Sequence, residues 1–289
     1  MLKTTAITTF AVALVAVMIM NSAALAGLPP NGVQAASLKT WLDASDINGD
    51  GVADVGRVQG DPSGNWADKS GLTYGANTIG DDPTYLAAGA GGTGELFPAV
   101  RFTPGSDRLI FNSPDFGNSM AGFDATVIML INRRTHDHMF GGDTNTFAWR
   151  FDSDNNHSAF SQSGIASNGS ADQSSTGTWQ VLGGRMTSAG SHYYFGTTPD
   201  SGNGSNTLPG NFTGWQGGNM WLGGRNNTHM IDADLAQLAV WNTELTEAEY
   251  LEVADYMLNL AVPEPSSFGL LALGLVGLLG GGWRRRRQK

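Results

Sequence analysis

The nine residues from Asp46 to Asp54, DINGDGVAD, alternate oxygen donors in the manner of a calcium-binding loop. Asp46, Asn48 and Asp50 stand two positions apart, so a curled loop points their side chains at one cation. The carbonyl of Val52 and the carboxylate of Asp54 supply the next two ligands of that pattern. An arginine then replaces the bidentate glutamate of an EF-hand, which leaves two interpretations open, a shallow Ca²⁺ site or a polar turn. Calcium is the one cofactor that the sequence suggests.

Aromatic side chains offer a second kind of chemistry, because their rings stack on the faces of sugars while polar neighbours take the hydroxyls. The chain has 8 Trp and 6 Tyr. Trp215, in the glycine-rich stretch FTGWQGG, is the best candidate for a ligand contact, because binding residues concentrate on loops. The alternative is that the aromatic residues fill a buried core.

Catalytic groups are not recognisable in the sequence. Glycoside hydrolysis needs two carboxylates that flank the scissile bond, and Asp232 and Asp234 alternate without a glutamate partner. His136 and His138 share one face of an extended strand but have no identifiable third metal ligand, so a solvated loop is the better interpretation. The chain contains neither a Gly-x-Ser-x-Gly elbow nor a cysteine. We therefore predict no catalytic residue and a protein that is not an enzyme.

Residues 1–26 have the parts of a secretory signal peptide. Lys3 precedes an apolar run from Phe10 to Met20, and small residues stand at Ala24 and Ala26. We predict cleavage by signal peptidase after Ala26. An uncleaved anchor is the alternative, although the apolar run is shorter than the ~20 residues of a spanning helix.

The segment 27–262 has 236 residues, a length that suits a single β-sandwich domain. It holds 10 basic and 25 acidic residues, a formal charge of −15. Such a charge repels phosphate backbones, so we expect no nucleic acid partner. Because the chain lacks cysteine, its stability must come from core packing, and from bound cations if there are any, rather than from disulfides.

Short apolar or alternating segments recur between turn-forming residues, which is typical of an all-β protein. The clearest are PAVRF (98–102), RLIF (108–111), ATVIMLIN (125–132), TFAWRF (146–151), TWQVLGGRM (178–186), HYYFGT (192–197), NMWLGG (219–224) and LAQLAVW (235–241). Val127 to Ile131 is apolar throughout, which predicts a strand covered on both faces. Near the end, Thr246 and Glu249 form a capping box before apolar residues at helical spacing, which predicts one short C-terminal helix.

That last strand and helix, LAQLAVWNTELTEAEYLEVADYMLNL, resemble the end of laminin-G-like, concanavalin A-like jelly-roll domains. The stretches LKTWLDASD (38–46), NWADKSG (65–71), PAVRF (98–102) and NMWLGGRNN (219–227) agree with that resemblance in their order. It covers most of residues 38–260 and implies a jelly-roll sandwich for residues 27–262. One departure lies at Asp232 to Asp234, where the family more often has a glycine.

The tail, residues 263–289, joins the triplet Pro263, Glu264 and Pro265 to an apolar run and a basic end. As a helix, the run from Phe268 to Trp283 is about 24 Å long against about 30 Å of bilayer hydrocarbon, so it predicts a short transmembrane helix. The basic end stays in the cytoplasm and places the domain outside. Its residues are Arg284, Arg285, Arg286 and Arg287.

This tail is similar to the PEP-CTERM sorting signal of exported bacterial proteins. The resemblance implies that an exosortase recognises the Pro-Glu-Pro triplet and cleaves near it after transient insertion into the inner membrane. The alternative is a permanent tail anchor. Signal peptidase and exosortase are therefore the predicted processing partners.

Together these features predict an exported, non-enzymatic protein that binds carbohydrate or acts as an adhesin, with a glycan or exopolysaccharide as partner. The precursor is anchored in the inner membrane with its domain on the periplasmic side, and the mature domain reaches the cell surface or extracellular matrix. Two alternatives stay open: a polysaccharide-active enzyme of concanavalin A-like fold, and a purely structural matrix component.

Overall fold

Two antiparallel sheets make up most of the described structure. The computed structural model describes residues 32–50, 54, 63–78, 81–87, 97–105, 107–111, 114–120, 124–142, 148–151, 157–161, 164–167, 176–187, 190–195, 198–199, 218–225 and 229–259. Its strands are β1 (Leu38–Asp43), β2 (Ala76–Thr78), β3 (Thr84–Leu86), β4 (Ala99–Phe102), β5 (Leu109–Phe111), β6 (Ala125–Arg133), β7 (His138–Gly142), β8 (Ala148–Phe151), β9 (His157–Ser161), β10 (Gly164–Ser167), β11 (Trp179–Thr187), β12 (Gly190–Phe195), β13 (Thr198–Pro199), β14 (Met220–Leu222) and β15 (Ala233–Trp241). Its helices are α1 (Pro114–Met120) and α2 (Glu247–Asn259).

The first sheet has eight described strands and the second has seven. The first sheet runs in the order β13-β12-β11-β6-β15-β4-β3, and β1 also pairs with β15. The second runs in the order β10-β9-β8-β7-β14-β5-β2. The register of β15 against β6 shifts between Leu235 and Gln237, where the other edge of β15 changes partner from β4 to β1. This bulge lets one long strand serve both neighbours.

The central strand β6 is buried on both faces. Val127, Met129 and Ile131 belong to the core between the two sheets. Ile128 and Leu130 belong to a second core, which includes the apolar face of α2. The prediction that Val127 to Ile131 forms a doubly covered strand is confirmed, because side chains alternate between the faces of a strand.

Helix α2 begins with the capping box that its sequence predicts. The N–H of Thr246 donates to Glu249 Oε2 at 2.8 Å, and the N–H of Glu249 donates to Thr246 Oγ1 at 3.3 Å. Caps of this kind contribute about 1 kcal/mol to helix stability. The apolar residues predicted to face the domain are all buried in the second core: Tyr250, Val253, Ala254 and Met257.

Each of the eight segments predicted as strands overlaps a strand of the structure. Seven strands (β1, β2, β3, β7, β9, β10 and β13) and the seven-residue helix α1 have no counterpart among the predicted elements. Within the described residues, no helix is long and apolar enough to cross a membrane. The predicted processing and topology residues, Ala26, Pro263, Glu264, Pro265 and Arg284 to Arg287, lie outside the described residues.

Candidate functional site

Hydrogen bonds within the predicted calcium loop hold its first half in a tight turn. Asp46 is buried, and its Oδ2 lies 3.1 Å from Nζ of Lys69. Its Oδ1 accepts a hydrogen bond from the N–H of Asp50 at 3.2 Å, and Asn48 Oδ1 accepts another from the same N–H at 3.0 Å. Three of the five predicted ligands therefore lie close together.

Lys69 places a positive charge beside this loop. Its Nζ lies 3.1 Å from carboxylate oxygens of Asp43 and Asp46 and 4.8 Å from the ring centroid of Trp41. Burial lowers the pKa of Lys69, but the two carboxylates outweigh burial, so that its pKa lies above the ordinary value. An ammonium group here repels any divalent cation that shares Asp46, which supports the polar-turn interpretation.

Calcium binding by this loop stays a prediction, because Val52 lies outside the described residues. If the loop binds calcium, millimolar Ca²⁺ should raise the melting temperature above its value in chelator, since a ligand at 100 times its Kd adds about 2.7 kcal/mol to stability. Asp50→Ala should abolish that shift. Asp82→Ala, at an exposed acidic residue outside the loop, is the control. Equal melting temperatures in calcium and chelator would establish the polar turn.

The alternating carboxylates at the start of β15 form ion pairs. Asp234 is buried and accepts hydrogen bonds from Arg101 Nε at 2.7 Å and Arg101 Nη2 at 2.9 Å. Arg134 Nη1 donates to the same carboxylate at 2.6 Å, and Arg134 Nε donates to Asp232 at 2.6 Å. The four side chains tie β15 to β4 and to the end of β6.

Two histidines and an aspartate meet at the start of β7. Asp137 Oδ1 lies 2.9 Å from Nδ1 of His138 and 3.4 Å from Nδ1 of His229. The two imidazole centroids are 4.7 Å apart. One potential ligand atom from each of the three residues lies within 4.8 Å of the others. Among the described residues, no other group of three or more His, Asp or Glu side chains is this close.

Hydrogen bonds between two distant segments bring His229 to this place. The N–H of Arg134 donates to the carbonyl of Asp232 at 2.7 Å, and the N–H of Asp232 donates to Thr135 Oγ1 at 2.8 Å. The N–H of Ile231 donates to the carbonyl of Gly223 at 3.2 Å. The segment that carries His229 is thus fixed to the turn between β6 and β7.

His136 lies outside this cluster. Its Nδ1 is 3.0 Å from Nη1 of Arg133, a buried side chain whose pKa burial lowers to about 10. His138 is 5% exposed, so the solvated-loop interpretation is wrong for that residue. Burial also lowers the pKa of His138, which favours the neutral imidazole. The His-x-His pattern contained one member of this cluster, His138, and no sequence pattern pointed to His229.

Most tryptophans belong to the interior. Six of the eight are described, and Trp179 is half-buried with its ring 4.9 Å from that of Phe97. The other five described tryptophans are buried: Trp41, Trp66, Trp149, Trp221 and Trp241. Four of these five belong to the two cores, so the core interpretation holds for Trp41, Trp66, Trp149 and Trp241. Trp215, the predicted ligand contact, lies outside the described residues.

Trp221 lies on the face of the second sheet that points away from the core. Its neighbours on both sides in β14 are core residues, and it pairs with Gly141 of β7. Arg108 Cζ lies 4.9 Å from the Trp221 ring centroid. The aliphatic stem of Arg225 lies directly above Gly141. We call Arg108, Trp221 and Arg225 the arginine–tryptophan face.

Two sheets that share one apolar core define the described domain as an antiparallel β-sandwich. Residues 261–287 match the PEP-CTERM protein-sorting motif, which confirms the resemblance of the tail. That motif implies an exported protein that an exosortase processes. No curated protein sequence matches the chain.

Two solved structures with a similar fold come from an arabinanase and a sialidase. One is domain 4 of AbnA, a GH43 extracellular arabinanase from Geobacillus stearothermophilus, in complex with arabinotriose. It is 16% identical in sequence to this chain, with a TM-score of 0.52, and the match covers 75% of this chain and 98% of that one. Trypanosoma rangeli sialidase in complex with sialic acid is 11% identical with a TM-score of 0.51, covering 80% of this chain and 35% of that one. The chain thus spans about a third of the sialidase. At these identities the likeness extends to the fold alone.

Proposed function

We propose that the β-sandwich is a non-enzymatic, carbohydrate-binding or adhesive module of the cell surface or extracellular matrix. The observation that carries this proposal is the likeness to the arabinanase domain, because the matched region is 98% of that chain and its structure holds arabinotriose. The sorting motif at residues 261–287 supports an extracellular place of action. The partner is a glycan or exopolysaccharide.

Two places in the domain suit such a ligand. Trp215 stands in the glycine-rich stretch FTGWQGG, and we propose it as a stacking contact. The arginine–tryptophan face is the second place. Guanidinium groups donate several hydrogen bonds in a fixed geometry, which suits hydroxyl and carboxylate groups of sugars.

The non-enzymatic part of the proposal rests on the acidic residues. Asp232 and Asp234 are bound by Arg101 and Arg134, so neither is positioned as a proton donor or nucleophile. An enzyme acting on polysaccharide is the second candidate, and it needs a pair of carboxylates across a cleft. Release of reducing sugar from any polysaccharide, lost on substitution of one carboxylate, would establish that candidate instead.

The test of carbohydrate binding is a glycan array probed with residues 27–262, which contain every described strand and both cores. We expect binding to at least one glycan, and we expect Trp215→Ala to weaken it about tenfold, since loss of one aromatic contact costs about 1.4 kcal/mol. Trp179→Phe is the matched control, because phenylalanine retains a ring beside Phe97. Absence of all binding by the folded domain would favour a purely structural matrix component.

The remaining proposals concern family and delivery. The order of motifs and the sandwich support a concanavalin A-like jelly roll, of the laminin-G-like type. The precursor carries a signal peptide over residues 1–26 and a transmembrane helix in its tail, which inserts transiently into the inner membrane before exosortase cleavage. The arginines at 284–287 then stay in the cytoplasm while the domain lies in the periplasm.

A further inference from the structure

We propose that Asp137, His138 and His229 bind one transition-metal ion, with Zn²⁺ the best fit. Tetrahedral zinc with bonds of about 2.0–2.1 Å to nitrogen and oxygen holds its ligands ~3.3 Å apart. The separations of 2.9 Å and 3.4 Å from Asp137 Oδ1 to the two imidazole Nδ1 atoms already lie near that value. The ligand atoms of His138 and His229 lie within 4.8 Å of each other, so metal binding requires the half-exposed His229 ring to move closer to His138.

The donor set distinguishes this ion from calcium. Imidazole nitrogen suits zinc, copper and nickel, whereas calcium takes oxygen ligands alone. Three protein ligands leave a fourth position for water or for a ligand atom, as in zinc sites of the open type. The proposed ion therefore differs from the calcium predicted for the loop from Asp46 to Asp54.

The fold holds two of the three ligands firmly and leaves the third adjustable. His138 is buried in β7, and the N–H of His138 donates to Asp137 Oδ1 at 2.9 Å, which orients the carboxylate. His229 has a side chain that is 55% exposed and a left-handed backbone with φ of 58°. An ion thus has an open approach from the side of His229. The guanidinium of Arg225 is close enough to lower the pKa of His138, and its positive charge repels a metal cation, so we expect a moderate affinity for Zn²⁺.

The test uses the full chain with any affinity tag removed, stripped of metal with chelator and titrated with ZnCl₂ in a calorimeter. We expect one Zn²⁺ per chain, and we expect His229→Asn to weaken binding at least tenfold. Asparagine tolerates the left-handed conformation, so the backbone is preserved. His192→Asn is the control, because His192 is exposed on β12 of the other sheet.

A second readout is the absorption spectrum of the Co²⁺-loaded chain. Tetrahedral coordination with nitrogen ligands gives intense visible bands, which His229→Asn and Asp137→Asn should both remove. Absence of stoichiometric Zn²⁺ binding by the unaltered chain would overturn the proposal. Equal losses in His229→Asn and His192→Asn, or an unchanged cobalt spectrum in Asp137→Asn, would do the same.

Discussion

Replacing Asp234 with alanine should lower the free energy of unfolding by about 3 kcal/mol. Removal of one partner from a buried ion pair costs about 3–5 kcal/mol, because the remaining charges lose their compensation. The lower end applies here, because the side chains of Arg101 and Arg134 are 34% and 29% exposed and regain some hydration. Urea denaturation of the wild type and the variant measures the difference.

The control for this prediction is Asp232→Ala. Asp232 is 24% exposed and, among the described residues, its carboxylate pairs with Arg134, which keeps Asp234 as a partner. We expect a loss of about 1 kcal/mol or less, as for exposed ion pairs. If the two variants lose the same free energy of unfolding, burial of the Asp234 carboxylate does not determine the loss in Asp234→Ala.

An alternating acidic pattern does not by itself show which partners the two carboxylates will have in the fold. In the sequence, Asp232 and Asp234 stood out only as alternating carboxylates without a glutamate partner, and as a departure from the jelly-roll pattern. In the fold, Asp234 pairs in register with Arg101 of β4. The arginine that neutralises it is remote in the sequence, so its role depends on strand pairing that no local pattern determines.

The fold was predictable wherever burial produces a recognisable pattern of apolar residues in the sequence. The nine-residue strands β6 and β15 have apolar residues on both faces, and α2 has a capping box and an apolar stripe. In contrast, β2 (ANT) and β3 (TYL) have three residues each and mix polar with apolar side chains, so they display neither an apolar run nor a period of two. Their positions follow from pairing with β5 and β4.

The candidate sites were predictable only in part, for a similar reason. The sequence identified Asp46, Asn48 and Asp50 as one turn, and the hydrogen bonds within that turn agree. It did not reveal that Lys69 lies against Asp46, since lysine is usually exposed. The sequence likewise gave no reason to join His138 with His229, because the contact depends on how the segment before β15 packs on the β6–β7 turn.

Gly183→Ala should be among the most destabilising substitutions in the domain, with an expected loss of at least about 3 kcal/mol, near the upper end of overpacking effects. A Cβ atom at Gly183 would lie 2.3 Å from the carbonyl oxygen of Val127 and 2.5 Å from the hydroxyl of Tyr250. The first contact is with the backbone of the paired strand β6, so relief requires separation of β11 from β6. Thermal denaturation measures the loss.

Gly177→Ala is the control for conformational effects, because Gly177 has φ of 78° and no atom within 4 Å of an added Cβ. Its expected cost is about 1–2 kcal/mol, from left-handed strain alone.

Tyr250→Phe separates the two contacts at Gly183. Its buried hydroxyl has no hydrogen-bond partner among the described residues, so that change alone should be nearly neutral. Combined with Gly183→Ala it should restore only part of the stability, because the contact with the Val127 carbonyl remains. Complete recovery would mean that α2, rather than β6, requires glycine at this position.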